Sequence, residues 1–591
     1  MLYVLAAAAV AGSYCGIAAL VLPRPFVVPV AVLVLATIAG VSLLRAWQLR
    51  EGGPAIASLL GARYVDPSRC TPPERRLINV VEEMAIASGI AVPPVYLLER
   101  EDAVNALVAG TSPNEAAIIV TKGALAKLSR DELQAVMGHE YSHILNGDMA
   151  LNLRLTCVLA GLSWLGDRGE EMVWEATKRT SAKDEDGSPA ALSALLGAAI
   201  AFIGFPGVFA ADAIRAAISR QRERLADQAS VQFTRNPDGI AGALDSILST
   251  HSHTVVHASH AAELSHMFFA PAVSHWWGFA THPPIERRIR LAHPRFDRAA
   301  YRERRHGTRR ELAVIDGSGA VVKNVSGNLQ AAPTAQHVDF AAQFLDGLPG
   351  ALREALHEAA GAQAAMLALA GRADGNELHA LAQAVPRQHM LTLAELAVPA
   401  IKAQPQKVRD AFLAELAAAV EADRRVTLGE FILFTYLQQR LREGAGQPIR
   451  TEFRSIEEVA ADAHAVLSLV AAAAGSSAQA AYDKGNAFLQ LAEPAPAKPE
   501  ALGTRSLRES LERLRRLAPL VKPRLVKACL EAAGADGALQ VIEVELVRMV
   551  AATLDCPVPP AIAAASASPG SSSASAPPPR HADPRAQSRA R

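Results

Sequence analysis

Aromatic residues are scarce in this chain, at 5% of 591 positions, and net charge is absent, since 59 Lys and Arg balance 59 Asp and Glu. A nucleic-acid binder would normally carry its basic excess as a patch or stripe, so the balance argues against that class. Cysteine is scarce too. Cys15, Cys70, Cys157, Cys529 and Cys556 are scattered without a close pair, so neither a disulfide framework nor a thiolate zinc site is indicated, and the soluble parts fit a reducing compartment. Only 20% of residues are charged while 50% are apolar. At about 150 residues per domain, the length suggests three or four domains. The apolar surplus must then lie either in Ala-rich helices or in segments that meet lipid.

Part of it is concentrated. Residues 2–22 and 26–44 are uncharged apolar runs separated by Pro23, Arg24 and Pro25. Each is close to the roughly 20 residues a helix needs to cross a bilayer, and together they read as a transmembrane hairpin. A cleaved signal peptide is the competing reading of the first run, disfavoured by its missing basic start and the second run close behind. A third run covers residues 187–211, and a weaker one, 149–166, is interrupted by Arg154. For this later pair a buried helical hairpin competes with two crossings. Arg45, Arg50, Arg63, Arg69, Arg75 and Arg76 follow the first hairpin, and Arg215, Arg220, Arg222 and Arg224 follow residue 211. Between the later runs the loop is mainly acidic, with Asp167, Glu170, Glu171, Glu175, Asp184, Glu185 and Asp186. The positive-inside rule then gives four crossings with both termini and the basic stretches in the cytoplasm.

Met137-Gly138-His139-Glu140-Tyr141-Ser142-His143 is an HExxH motif on a predicted helix that starts near Ser129, whose N-cap signature is completed by Glu132. Two His four residues apart share a helical face, so both imidazoles can reach one zinc ion, and the intervening Glu can take a proton from metal-bound water. A third protein ligand is required. Glu223, in Arg220-Gln221-Arg222-Glu223-Arg224-Leu225-Ala226-Asp227, is the best candidate. Glu223 and Asp227 share a face, so one can bind zinc while the other orients a ligating His. An exposed acidic pair is the bland alternative, but two crossings between His143 and Glu223 bring both motifs to the same side of the membrane.

HEYSH with Asn146-Gly147-Asp148, then RERLAD, then Thr281-His282-Pro283-Pro284-Ile285-Glu286-Arg287-Arg288-Ile289 resembles the HtpX-type membrane zinc metalloproteases, which are related to the CAAX prenyl endopeptidases. The resemblance covers about residues 1–300. It implies a mainly α, integral-membrane, zincin-like fold with a small β-sheet beside the HExxH helix. It also implies one zinc ion per chain held by His139, His143 and Glu223, with Glu140 as catalytic base. His282 and Arg288 would supply the oxyanion partner and Asp227 the support behind a ligand. Polypeptide substrates, in particular misfolded or damaged membrane proteins, follow from the same resemblance; with the charge pattern above, the expectation is a multi-pass protein of a bacterial inner membrane with its site on the cytoplasmic side.

Three short strands are predicted at Val95–Leu98, Val104–Val108 and Ala116–Thr121, and the sheet they form could pair with an extended substrate. Asn105-Ala106-Leu107 departs from the family's NAF-like stretch by losing the aromatic residue. His251, His253, His257, His260 and His266 crowd together as a candidate second metal site or, with no carboxylates or cysteines nearby in a recognisable spacing, a solvated or substrate-lining segment.

Residues 301–336 read as a linker with a short hairpin around Asp316-Gly317-Ser318-Gly319, residues 337–560 as an all-helical region, and residues 561–591 as a disordered tail. The first 300 residues divide into a hairpin (1–50), two catalytic parts (51–148 and 213–300) and the second hairpin (149–212). In the helical region Asp423 with Glu430 and Asp536 with Glu543 repeat one spacing, which resembles TerB-like domains. An EF-hand would need more alternating oxygen ligands. The leading reading is a membrane zinc endopeptidase whose helical half recruits substrates or a protein partner. A membrane-anchored scaffold with a structural or inactive zinc site is the alternative, and a CAAX-type prenyl protease would need more crossings.

Overall fold

The computed structural model describes residues 23–181, 187–249, 255–272 apart from 259 and 262, 282–307, 333–371, 377–422, 426–442, 449–491, 503–535 and 540–560, with scattered residues between 7 and 19. Most of the 2–22 run, the 316–319 hairpin, His251, His253, Asp423, Asp536 and the tail lie outside them.

The 26–44 run forms helix α1 (Val27–Gln48), whose large apolar side chains such as Val28, Leu33, Leu43 and Trp47 are exposed. A helix that is apolar all round yet little covered by protein suits lipid better than water. Among the described residues three helical spans, Val27–Gln48, Asp148–Thr177 and Ala191–Thr234, are long and apolar enough to cross a membrane. The weak 149–166 run is only the first half of a longer helix, so Arg154 does not cut it short.

After α1 come strand β1 (Arg63–Tyr64), helix α2 (Pro72–Ser88), strands β2 (Val95–Leu98), β3 (Ala106–Ala109) and β4 (Ala117–Thr121), and the HExxH helix α3 (Arg130–Leu145). The sheet order is β1-β2-β4-β3, with β2 and β4 parallel and the outer pairs antiparallel, Leu107 standing opposite Ile119. β3 is therefore the edge beside α3. The long helices α4 (Asp148–Ser181) and α5 (Gly187–Thr234) form the next hairpin, followed by α6 (Pro237–Leu248), α7 (Ile285–Ala292) and α8 (Arg298–Gly307). α8 runs into the stretch read from sequence as linker. It is held because Tyr301 Oη donates to Glu132 at 3.0 Å and Arg302 grips Asp245 at 2.7 and 3.0 Å.

From α9 (Ala335–Gly347) to α10 (Val541–Thr553) the described chain is helical, as its periodicity predicts. The repeated Glu residues have a local purpose. Glu430 accepts from the Thr427 amide at 2.8 Å and Glu543 from the Gln540 amide at 2.7 Å, so each caps the start of its helix.

One apolar core extends from Leu77, Val81 and Ala85 of α2 through Tyr141 of α3 to Val338, Leu396, Val550 and Val558 of the helical half. Polar contacts fix the register. Glu82 of α2 binds Arg353 at 2.8 Å and His357 at 2.6 Å, and Asn114 reaches Asp555 at 2.9 Å. α2 ends at Gly89 in the left-handed conformation (φ 66°), and a Cβ there would stand 2.0 Å from the Val558 carbonyl oxygen. Gly89→Ala therefore combines a strained backbone with a clash, and should cost on the order of 1–3 kcal/mol. The expected result is a lower Tm and faster proteolysis around residues 555–560, whereas an unchanged Tm would show that the C-terminal strap is not docked on α2.

Candidate metal centre

The centre is assembled from helix ends. α3 begins at Ser129, whose hydroxyl accepts from the Glu132 amide at 3.2 Å while the Glu132 carboxylate accepts from the Ser129 amide at 2.7 Å. It ends at Asn146, and Gly147 (φ 70°) makes a turn that a side chain would strain. Asp148 then opens α4 directly beside the last turn of α3.

His139 and His143 lie on one face of α3, with 3.2 Å between their Nε2 atoms. Each Nδ1 donates to a carboxylate: His139 to Asp227 at 3.0 Å and His143 to Asp148 at 2.9 Å. Those bonds leave bare lone pairs on the two Nε2 atoms, turned toward each other. Glu223 of α5 completes the group, its oxygens 3.8 Å from His139 Nε2 and 3.6 Å from His143 Nε2. Two imidazole nitrogens and a carboxylate that can all turn lone pairs to one point form a site that suits a cation. Ligands about 2.0–2.1 Å from a tetrahedral zinc are separated by about 3.3 Å, close to this spacing. Among the described residues this is the one grouping of three or more such side chains.

Burial lowers the His139 pKa, whereas for His143 the Asp148, Glu223 and Glu140 carboxylates outweigh burial and raise it. Glu140 is 1% exposed and, among the described residues, neither carboxylate oxygen makes a well-formed hydrogen bond, although the Val108 amide of β3 is near enough to favour its charged form. Burial first, and then the Glu223 charge, push its carboxyl up to about 8 against the opposing pull of His143 and Arg288. A nearby metal cation would act in the opposite direction. A group so placed is suited to exchanging a proton with water.

His282 and Arg288, from the HPP segment and α7, are also here and buried. His282 Nδ1 lies 2.9 Å from Glu223 Oε2 and its Nε2 is 3.2 Å from the Ser265 carbonyl oxygen. Arg288 grips Asp227 through Nε and Nη2 at 2.9 and 2.7 Å, and its Nη1 donates to the Phe269 carbonyl at 2.5 Å. The donors expected at an oxyanion thus face the carboxylates that surround the two His.

Some contributors were invisible to sequence reasoning. The sequence alone assigns Asp148 no role, and its place immediately after the Gly147 turn is the one signal that points to it. Phe269 stands edge-on to His139, ring centroids 4.9 Å apart, while Asn105 holds the Ala270 backbone by donating at 3.0 Å and accepting at 3.1 Å. The outer edge of β3 is partly used by the chain itself, since the Phe269 amide donates to Ala106 O at 2.7 Å. Of the described members of the His cluster, His260 faces Glu263 at 3.5 Å, the His257 amide donates to Glu101 at 3.0 Å, and His266 is buried against Asn152 O and Thr156.

The sequence profile of Peptidase family M48 matches residues 72–295, which contain every residue of this centre. A Protease HtpX homolog of Streptococcus uberis is 36% identical over 218 residues, covering 36% of this chain and 72% of the relative. One from Streptococcus pneumoniae is 36% identical over 240 residues, covering 40% of this chain and 77% of the relative. The chain belongs to peptidase family M48. No solved structure matches it. As an HtpX-type M48 enzyme it is a metallopeptidase, a hydrolase of peptide bonds bound to a membrane, and the His139, His143 and Glu223 cluster is compatible with zinc.

Removing a carboxylate behind a metal-ligating His typically costs 10–100-fold in metal affinity. Asp148→Ala in this M48 peptidase should therefore weaken zinc binding by about that factor in competition with a chromophoric chelator. Wild-type affinity would mean that something other than Asp148 orients His143.

Proposed function

We propose that this M48 peptidase is a zinc-dependent endopeptidase of a bacterial inner membrane, cutting polypeptides on the cytoplasmic side, with membrane proteins in quality control as its substrates. The observation that carries the reading is the converging donor set: two oriented imidazoles, a carboxylate and a buried Glu140 beside them. His139, His143 and Glu223 would hold one zinc ion per chain, with Asp227 and Asp148 fixing the two tautomers. Bound there, zinc supplies Lewis acidity and a water of pKa near about 7. Glu140 would act as the base, taking a proton from the attacking water and returning it to the nitrogen of the leaving amine. Arg288 and His282 hold Asp227 and Glu223 in place through the bonds described above. Their part in stabilising the oxyanion is then electrostatic, with the Arg288 guanidinium 3.5 Å from Glu223.

The orientation is supported by the basic stretches around residues 45–76 and 215–224 and by the position of the site where α4 and α5 meet α3. On this reading the catalytic unit, 51–148 and 213–300, is split by the hairpin 149–212, and the helical half, 337–560, offers the surface for a substrate or protein partner.

Glu140→Gln removes the base while leaving the ligands. Cleavage of an unfolded membrane protein by the purified enzyme should fall by roughly 10²–10⁴-fold with zinc content retained. Equal cleavage by both proteins would sink the assignment. Alkaline phosphatase fused after residue 185 should be active, and after residue 307 inactive; the reverse would place the site outside.

A further inference from the structure

Asp212, Arg215, Ser219, Glu223, Asp227 and Ser230 recur every three or four residues of α5, so they share one face, and all are less than a tenth exposed. The lower part of this polar seam meets α3, Ser230 Oγ donating to Ala135 O at 2.6 Å, while α4, whose Thr156 and Ser163 are also buried, packs along the same helix. The lower end of the seam is the metal centre. Arg215 is eight residues from Glu223, two turns or about 12 Å along the helix toward the apolar run.

Arg215 is only 4% exposed, and its guanidinium is half used. Nη1 donates to Asp212 at 2.8 Å, while Nε and Nη2 have no hydrogen-bond partner among the described residues. Nε and Nη2 form the edge that presents two parallel N–H donors. Elsewhere in the chain the same edge is laid on a carboxylate, by Arg288 on Asp227 and by Arg302 on Asp245. Asp167 lies within range of the Arg215 charge, but its Oδ2 accepts from the Ser163 hydroxyl at 2.7 Å. His266 also feels the Arg215 charge. Among the described residues its Nδ1 makes no well-formed hydrogen bond, nor does the neighbouring Ser265 hydroxyl, and the Ser265 carbonyl touches His282. Buried polar atoms without a well-formed bond are thus found at Glu140, at Ser265 and His266, and at Arg215.

We propose that the Nε/Nη2 fork of Arg215 is a specificity subsite that takes a carboxylate of the polypeptide substrate, either an Asp or Glu side chain or the substrate's own C-terminus. This rests on the endopeptidase reading. Fork and base are both buried, so the opening that admits a peptide to Glu140 exposes a seam already lined with hydrogen-bonding groups. A distance of about 12 Å corresponds to three or four residues of extended chain at about 3.3 Å each. The recognised carboxylate therefore belongs three or four residues from the scissile bond. Replacing it by an amide keeps the shape and removes the charge-assisted pair.

The test uses the full-length, zinc-loaded protein in detergent and synthetic peptides of one neutral sequence. Glu or Gln is placed at each position from two to five residues on either side of the scissile bond. A second series ends three or four residues beyond that bond in a free carboxylate or an amide. At one such position the wild type should favour the acid over the amide about tenfold in kcat/KM, chiefly through KM, which is the size of one charge-assisted hydrogen bond. Arg215→Gln should bring that ratio close to one with zinc content retained, and Arg215→Lys should keep part of it. Preference confined to the second series assigns the fork to the chain terminus; preference in the first assigns it to an acidic side chain. The proposal is overturned if the wild type shows no preference at any position, or if the preference survives in Arg215→Gln. Cleavage of neutral peptides without preference would leave the protease reading standing, whereas no cleavage of any peptide would remove both.

Discussion

Everything around the centre follows from turning two imidazole lone pairs toward one point and keeping them there. A His ring can rotate and change tautomer, so the orientation has to be set from behind, by Asp227 for His139 and Asp148 for His143. These carboxylates are buried and would be costly there alone. Each accordingly has a cationic neighbour: Arg288 grips Asp227, and Arg222 lies 3.3 Å from Asp148. Asp148 opens α4, while Asp227 and Arg222 belong to α5. The two long helices thus place both supports, and the site exists only where their ends meet α3.

That dependence explains what the sequence makes legible. HExxH and ExxxD are local patterns, with each pair of residues one helical turn apart, so periodicity alone puts them on common faces. The HPP segment carries no comparable geometric constraint, and its meaning came from resemblance. Asp148, Asn105 and Phe269 were obscure for another reason. Each works through a contact distant in sequence or across a turn, and a lone Asp, Asn or Phe has many ordinary uses. The strands were legible from their apolar runs, but the pairing of Phe269 on the outer edge of β3 depends on a segment more than 150 residues away.

The helical half shows a different limit. Its Ala- and Leu-rich periodicity announces helices without saying against what they pack. In the structure α2 is covered on one side by α3 and on another by α9, and Tyr141, one residue after Glu140, the base of the proposed mechanism, donates to the Val81 carbonyl of α2 at 2.8 Å. The same helix sends Glu82 to Arg353 and His357. The catalytic helix and the helical half therefore share a wall.

Burial at the centre sets the final constraint. His139, Glu140, Glu223 and His282 are each no more than 3% exposed, yet a peptidase must bring a peptide carbonyl to Glu140. In β3 the backbone groups of Ala106 and Val108 point away from β4, because alternate residues of an antiparallel strand turn to opposite edges. Ala106 O already accepts from Phe269. A substrate strand that pairs along the whole of that edge must displace this bond, and the Phe269 ring cannot leave without uncovering His139 and releasing the Arg288 contact to its carbonyl. Peptide pairing along the whole of this edge would therefore also uncover His139.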